Sequence, residues 1–253
     1  MLNINNISKS FGDRKVLFDL NMDFERGQIY TIVGSNGAGK TTLFNLITGF
    51  LKPDKGDISL NGKSLTNHSP VKINERGITR TFQDLRLINN LTVKENILLA
   101  FKNNLGEKIY NAVLPSNFFK KQNLEFSHKA DKILEKVHLS NLANELACNI
   151  SYGQQKLLNI GCCIANDAKL LLLDEPVAGI DKDNYLRIYN LLIDLKKEGK
   201  TIIQIEHNYE FMEGLSDGIY FLHHGNATFF KSYTGFKDSD LVKEEYFMQD
   251  AKS

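Results

Sequence analysis

The chain is short of most features that would set it apart from an ordinary globular protein. It has three cysteines in 253 residues, Cys148, Cys162 and Cys163, with no Cys-x-x-Cys pair and no zinc-like spacing. That excludes a disulfide framework, a structural zinc site and a dithiol redox centre, and the three read as small core residues in a reducing compartment. An excess of charge of one sign is missing too. Against 31 Lys and Arg stand 30 Asp and Glu, a net charge of +1, so no global field draws the chain to nucleic acid or anionic lipid. Apolar runs such as residues 170–173 fall far below the roughly 20 residues of a membrane-spanning helix. The first six residues lack the basic-then-apolar pattern of a secretory signal. There is no repeat, low-complexity tract or Pro/Gly/Ser linker to divide the chain. The expectation is one domain that does not itself cross a membrane.

What is present supports a sizeable core: 42% of residues are hydrophobic and 24% charged. Residues 2–7, 16–24 and 28–33 read as strands, and residues 41–50 carry the apolar spacing of a helix. Residues 53–56 and 61–62 read as turns around the short strand 58–60. From about residue 91 to 164 strand signals fade. Thr92-Val93-Lys94-Glu95 is a capping box opening a helix, and residues 120–137 form a long amphipathic stretch. Alternation then returns: strand 169–173, helix 182–197, strand 201–205, helix 208–215, strand 218–223. Such alternation implies a mainly parallel α/β sheet with helices on its faces. The expected organisation is a single domain of residues 1–253, with an α/β lobe of residues 1–90 and 165–253 and a helical lobe, 91–164, inserted in its middle.

Gly34-Ser35-Asn36-Gly37-Ala38-Gly39-Lys40-Thr41, followed by Thr42, matches G-x-x-x-x-G-K-[ST] in full and sits between a strand and a helix. Glycines let backbone N–H groups wrap phosphates without Cβ clashes, and the helix N-terminus offers unpaired donors and a positive dipole end. In that pattern Lys40 reaches the β- and γ-phosphates and the Thr41 hydroxyl ligates Mg²⁺. Residues 170–173 are four leucines ending in Asp174-Glu175. A continuous apolar run is the mark of a strand buried on both faces. Asp174 at its end is a candidate Mg²⁺ ligand, and Glu175 a candidate for polarising the attacking water.

With those two motifs, Ile150-Ser151-Tyr152-Gly153-Gln154-Gln155 resembles the Leu-Ser-Gly-Gly-Gln signature of ATP-binding cassette (ABC) ATPases. The resemblance covers nearly the whole chain. It implies a P-loop fold of ABC type: a parallel core sheet, N-terminal antiparallel strands and an inserted helical subdomain. It implies ATP and Mg²⁺ as ligands and an ATPase activity coupled to transport. Ser151, Gly153 and Gln154 would cap the γ-phosphate held by a second ATPase subunit, identical or not. Gln83 matches the Q-loop, which touches Mg²⁺ and reports to the membrane partner. Asp181, in Ala178-Gly179-Ile180-Asp181, falls at the D-loop. His207 matches the switch histidine, and Phe11 the aromatic ring that stacks on adenine. The implied partners are a second cassette and integral-membrane permease subunits, with no nucleic acid. The implied place is the cytoplasmic face of the inner membrane, peripherally bound.

Residues 78–83, the Tyr152-bearing signature and Ile205-Glu206-His207-Asn208 look most like the ATPases of branched-chain amino acid (LIV-type) importers. The ATPase of lipopolysaccharide export shares the general layout and stands as the alternative, as does a cassette that works away from membranes. The latter usually carries a long coiled-coil insertion or two fused cassettes, and this chain has neither. A third reading, a cassette that binds but barely hydrolyses ATP, conflicts with the retained Lys40, Glu175 and His207. Departures from the family pattern are Gly161-Cys162-Cys163 where an arginine is common, and a tail, residues 231–253, without the usual Gly-x-Pro turn.

Overall fold

The computed structural model describes residues 1–82, 85–102 and 116–247. Its strands are β1 (Leu2–Phe11), β2 (Arg14–Phe24), β3 (Ile29–Val33), β4 (Lys55–Leu60), β5 (Lys63–Ser64), β6 (Ile78–Arg80), β7 (Leu170–Asp174), β8 (Thr201–Ile205), β9 (Gly218–His223) and β10 (Asn226–Phe230). Its α-helices are α1 (Lys40–Ile47), α2 (Pro70–Glu75), α3 (Val93–Ala100), α4 (Ser116–Lys136), α5 (Tyr152–Ala165), α6 (Lys182–Lys197), α7 (Tyr209–Leu215), α8 (Tyr233–Asp238) and α9 (Asp240–Val242). Two compact units emerge: residues 1–80, 169–176 and 192–253, and residues 81–168 with 177–191.

The first unit holds two sheets. One is antiparallel, in the order β2-β1-β4-β5; the other runs β10-β9-β3-β8-β7-β6. In the second sheet β3, β8, β7, β6 and β9 run parallel, and only β10 is antiparallel, as an edge strand on β9. Strands β3, β7 and β8 are buried at every position, as the continuous apolar runs in the sequence require of a sheet covered on both faces. Leu2, Ile4, Leu20, Phe24 and Ile58 of the antiparallel sheet share a core with Ile32, Leu43, Phe44, Leu172 and Ile203. A smaller core joins Val33, Ile219, Phe221, Met212 and Phe236.

The parallel α/β core and the antiparallel N-terminal strands therefore stand as the sequence implied. Differences are local. Residues 53–56, expected as a turn, already feed β4 at Lys55. There Gly56, at φ +87°, lies against the carbonyls of Asn5 and Asn6 where no Cβ would fit. The three-residue β6 and the five-residue β10 are not read from the sequence: β6 has too few positions to show a period, and Asn226–Phe230 holds none of the Ile, Leu and Val that mark the equally short β3, β7 and β8.

In the second unit the Thr92 box forms as read. Thr92 Oγ1 accepts from the Glu95 N–H at 3.2 Å, and Glu95 Oε2 accepts from the Thr92 N–H at 2.8 Å. One turn on, the buried Asn96 amide fastens the incoming chain. Its Oδ1 accepts from the Ile88 N–H at 2.9 Å, and its Nδ2 donates to the Thr92 carbonyl at 2.9 Å. Helix α5 approaches α3 closely at Gly161, where a Cβ would come within 2.9 Å of Ile97 Cδ1. Burial pushes the adjoining Cys162 thiol up to about 12 and raises Cys163 as well, so both are inert. The core reading of the cysteines fails for Cys148, which is exposed in the turn-rich segment before α5.

Candidate functional site

Strand β3 delivers the chain to the glycine-rich loop between two constraints that only glycine meets. At Gly34 a Cβ would collide with the Leu222 carbonyl oxygen at the end of β9. At Gly39, φ is +103°, and a Cβ would lie 2.8 Å from Leu17 Cδ2. Helix α1 then opens with no side-chain cap on its first turn, so its leading N–H groups remain for an anion. Of the other loop residues, Asn36, Gly37 and Thr41 are exposed and Ser35, Ala38 and Thr42 half-buried.

Lys40 is buried, and its ammonium donates to the loop's own carbonyls, Gly34 O at 2.6 Å and Ser35 O at 3.0 Å. Desolvation lowers its pKa, against the fields of Glu175 and Asp174, which raise it. A buried cation satisfied only by neutral carbonyls is suited to exchange them for phosphate oxygens. The donor set thus fits a nucleoside triphosphate. Lys40→Ala should weaken ATP binding about 10- to 100-fold, the scale of hydrogen bonds made by a charged donor. Titration with a fluorescent ATP analogue measures this, and unchanged affinity would remove Lys40 from the site.

Asp174 ends β7 in a buried ion pair: Arg80 Nη2 donates to Asp174 Oδ2 at 2.8 Å. The same guanidinium donates through Nη1 to Asn45 Oδ1 at 2.6 Å and lies 5.1 Å from the Phe44 ring centre. Glu175 follows with φ +48°, a conformation costly for a non-glycine residue and concentrated at functional sites. Its N–H is held by the Ile205 carbonyl at 2.9 Å. His207 Nε2 stands 3.8 Å from Glu175 Oε1. The turn that presents His207 is organised by the buried Glu206, whose Oε2 accepts from the His207 N–H at 2.9 Å and the Asn208 N–H at 3.1 Å. Asn208 then caps α7 through the Phe211 N–H at 2.9 Å.

Phe11 is 48% exposed at the end of β1, with Lys9 Nζ 5.6 Å from its ring centre. It pairs across the hairpin with Arg14, whose guanidinium reaches within 3.6 Å of the Cβ position at Gly37. The hairpin carrying Phe11 therefore borders the glycine-rich loop.

The first unit thus assembles residues 34–42, Asp174, Glu175 and His207, with the Phe11 hairpin at the loop's edge. The second unit carries Ser151, Gly153, Gln154 and Asp181. There Ser151 Oγ accepts from the Gln154 N–H at 3.3 Å, and Gln154 Oε1 accepts from the Ser151 N–H at 2.8 Å, the reciprocal box read from the sequence. Gln83 lies outside the described residues. Sequence reasoning missed three contributors, namely Arg80 as the partner of Asp174, Arg14 beside the loop, and Glu206 behind His207. Arg80 and Arg14 act at long range and leave no local pattern, whereas Glu206 stands next to His207 in the sequence.

Among the described residues no cluster of three or more His, Cys, Asp or Glu could cage a metal. The available oxygens, the Thr41 hydroxyl and the Asp174 carboxylate, suit Mg²⁺, which keeps several waters and takes its remaining ligands from phosphates.

Comparison with known proteins agrees with this geometry. The ABC transporter family model matches residues 17–178. The "Probable branched-chain amino acid transport ATP-binding protein LivG" of Archaeoglobus fulgidus is 37% identical over 227 residues, 90% of this chain and 87% of that one. The "High-affinity branched-chain amino acid transport ATP-binding protein LivG" of Escherichia coli K12 is 34% identical over 226 residues, 89% of each chain. The crystal structure of the ADP conformation of an ATP-binding cassette of an ABC transporter superposes with a TM-score of 0.83 at 32% identity, covering 98% of both chains.

Proposed function

This chain belongs to the ABC transporter family as its ATP-binding, ATP-hydrolysing subunit, and from that premise we propose that it works as half of a nucleotide-clamped dimer driving branched-chain amino acid import through a separate permease. The import reading rests on one observation above the others: relatives covering about nine-tenths of the chain carry that transport function in their names. The motifs at residues 78–83, Tyr152 and His207-Asn208 point the same way. Among the described residues no helix is long and apolar enough to cross a membrane, so the permease supplies the crossing and this chain sits on it peripherally, at the cytoplasmic face.

In this reading the chain is one ATPase domain, a nucleotide-binding lobe of residues 1–90 and 165–253 with a helical lobe of 91–164. Phe11 stacks on adenine. The N–H groups of residues 34–42 and the Lys40 ammonium bind the phosphates. Thr41, Asp174 and Gln83 hold Mg²⁺, which when bound neutralises developing charge on the transferred phosphoryl group. Glu175 orients the attacking water and accepts its proton, and His207 keeps that carboxylate and the γ-phosphate in register. Ser151, Gly153 and Gln154 of the facing subunit, with Asp181 beside them, close over the same phosphate. Swinging such a dimer from 1:99 to 99:1 closed takes about 5.5 kcal/mol, so each of two ATP molecules contributes about half of that through contacts made only when closed. Loss of the γ-phosphate removes those contacts and the dimer reopens.

The test is isolation of the tagged chain with its membrane subunits, followed by reconstitution into vesicles. ATP-dependent uptake of labelled leucine is expected. Recovery with a lipopolysaccharide-export permease, and no amino acid uptake, would overturn the import reading while leaving the ATPase intact.

A further inference from the structure

Segment 178–184 is tied to the first turn of α5 by one side chain that no motif assigns. Asn184, itself 7% exposed, sits between Asp181 and Gly153. Its Nδ2 donates to Asp181 Oδ2 at 2.6 Å and its backbone N–H to Asp181 Oδ1 at 3.0 Å. The same side chain packs closely against Gly153. A Cβ placed there would meet Asn184 Nδ2 at 2.6 Å, Cβ at 2.8 Å and Cγ at 2.8 Å. A second contact runs parallel, since a Cβ at Gly179 would stand 3.7 Å from Tyr152 Cε1.

Capping α6 does not explain this arrangement. A helix cap needs only the Asp181 carboxylate and the N–H groups of Asp183 and Asn184, both at 3.0 Å. The side-chain amide goes beyond the cap: it holds the second carboxylate oxygen of Asp181 and leaves Asn184 Oδ1 buried without a hydrogen-bond partner. A buried atom without a partner calls for an explanation other than the cap. The Asp181 carboxyl is held below its ordinary range, chiefly by the Asn184 backbone and side-chain hydrogen bonds, which marks it as a fixed anion. Asp181 and Gly153 are both placed at the facing subunit's nucleotide in the dimer reading. A bridge between them makes the two surfaces move as one.

We propose that Asn184 is a positioning residue that locks the D-loop aspartate to the signature glycine, so that both engage the facing subunit's ATP together. The inference rests on the dimer reading above, and its signature is a change in how ATP concentration drives closure. It acts through Gly153 and Asp181 and leaves the phosphate loop of its own chain alone.

Two variants test it, Asn184→Ala and Asn184→Asp. Monomer affinity for ATP should stay within about twofold of wild type in both, because the phosphate loop of the same chain is untouched. The ATP concentration for half-maximal hydrolysis and for ATP-induced dimerisation should rise about tenfold in both, the scale of a lost hydrogen bond to a charged group. Wild-type ATP dependence in either variant overturns the inference. So does a loss of monomer ATP affinity as large as the loss in dimerisation, whatever either substitution does to thermal stability. A wild-type protein that stays monomeric at saturating ATP would instead remove the dimer reading, an outcome separable from the other two.

Discussion

Glu175→Gln should lower ATP turnover by about 10²- to 10⁴-fold, the range of general-base catalysis, while ATP binding persists. The substitution preserves length and shape, and replaces a charged, basic carboxylate oxygen by an amide NH2 that cannot accept a proton. The backbone asks nothing new of the amide, because Glu175 already adopts φ +48° with its N–H fixed to the Ile205 carbonyl, and Gln meets the same steric terms. His207, 3.8 Å from the carboxylate, keeps a neutral polar neighbour. In energy the loss is about 2.7–5.5 kcal/mol of barrier, confined to the chemical step. The variant should therefore bind ATP, close, and stay closed. Phosphate release at saturating MgATP reads the first effect, and the sedimentation of the nucleotide-loaded protein reads the second. Turnover within threefold of wild type would take the base role from Glu175. Loss of ATP binding together with turnover would mean that Glu175 holds nucleotide rather than water.

The parts of this site that were legible in the sequence are local in the chain. The loop from Gly34 to Thr41 and the cap at Ser151 each need residues within eight positions of one another, so motif spacing alone describes them. The same holds for Asp174-Glu175, where the burial of Asp174 follows from four preceding leucines. What stayed hidden is non-local. Arg80 reaches Asp174 across 94 residues, and Asn184 meets Gly153 across the rest of helix α5 and strand β7. Neither contact leaves a periodic trace. Fold reading failed for a related reason at β6, whose three residues find their place only because β7 offers a parallel edge. Cys148 failed differently, since composition predicts burial for cysteine as a class and is silent about one turn.

Arg80→Met should destabilise the protein by about 3–5 kcal/mol, the cost of leaving one member of a buried ion pair without its partner. At about 2–4 °C per kcal/mol for a domain of this size, the melting temperature falls by roughly 10 °C. The pair is well inside, with side chains 4% and 6% exposed, so solvent does little to screen the Asp174 carboxylate once the guanidinium is gone. Asn45 and the Phe44 ring lose the same guanidinium. Methionine keeps much of the stem's volume, so the effect lies in the lost charge and hydrogen bonds rather than in a cavity. Combining Arg80→Met with Asp174→Asn removes both charges and should recover more than half of the lost stability, by the same principle that makes apolar replacements of buried pairs nearly neutral. Calorimetric or circular-dichroism melts of the three proteins decide it, and an Arg80→Met melt within 2 °C of wild type would show the pair to be slack. The recovered double variant should still fail to hydrolyse ATP. Arg80 anchors one oxygen of the carboxyl group expected to hold Mg²⁺, and so fixes the plane in which the group presents the other. Stability and metal binding draw on the same carboxylate, and only the first can be restored by removing it.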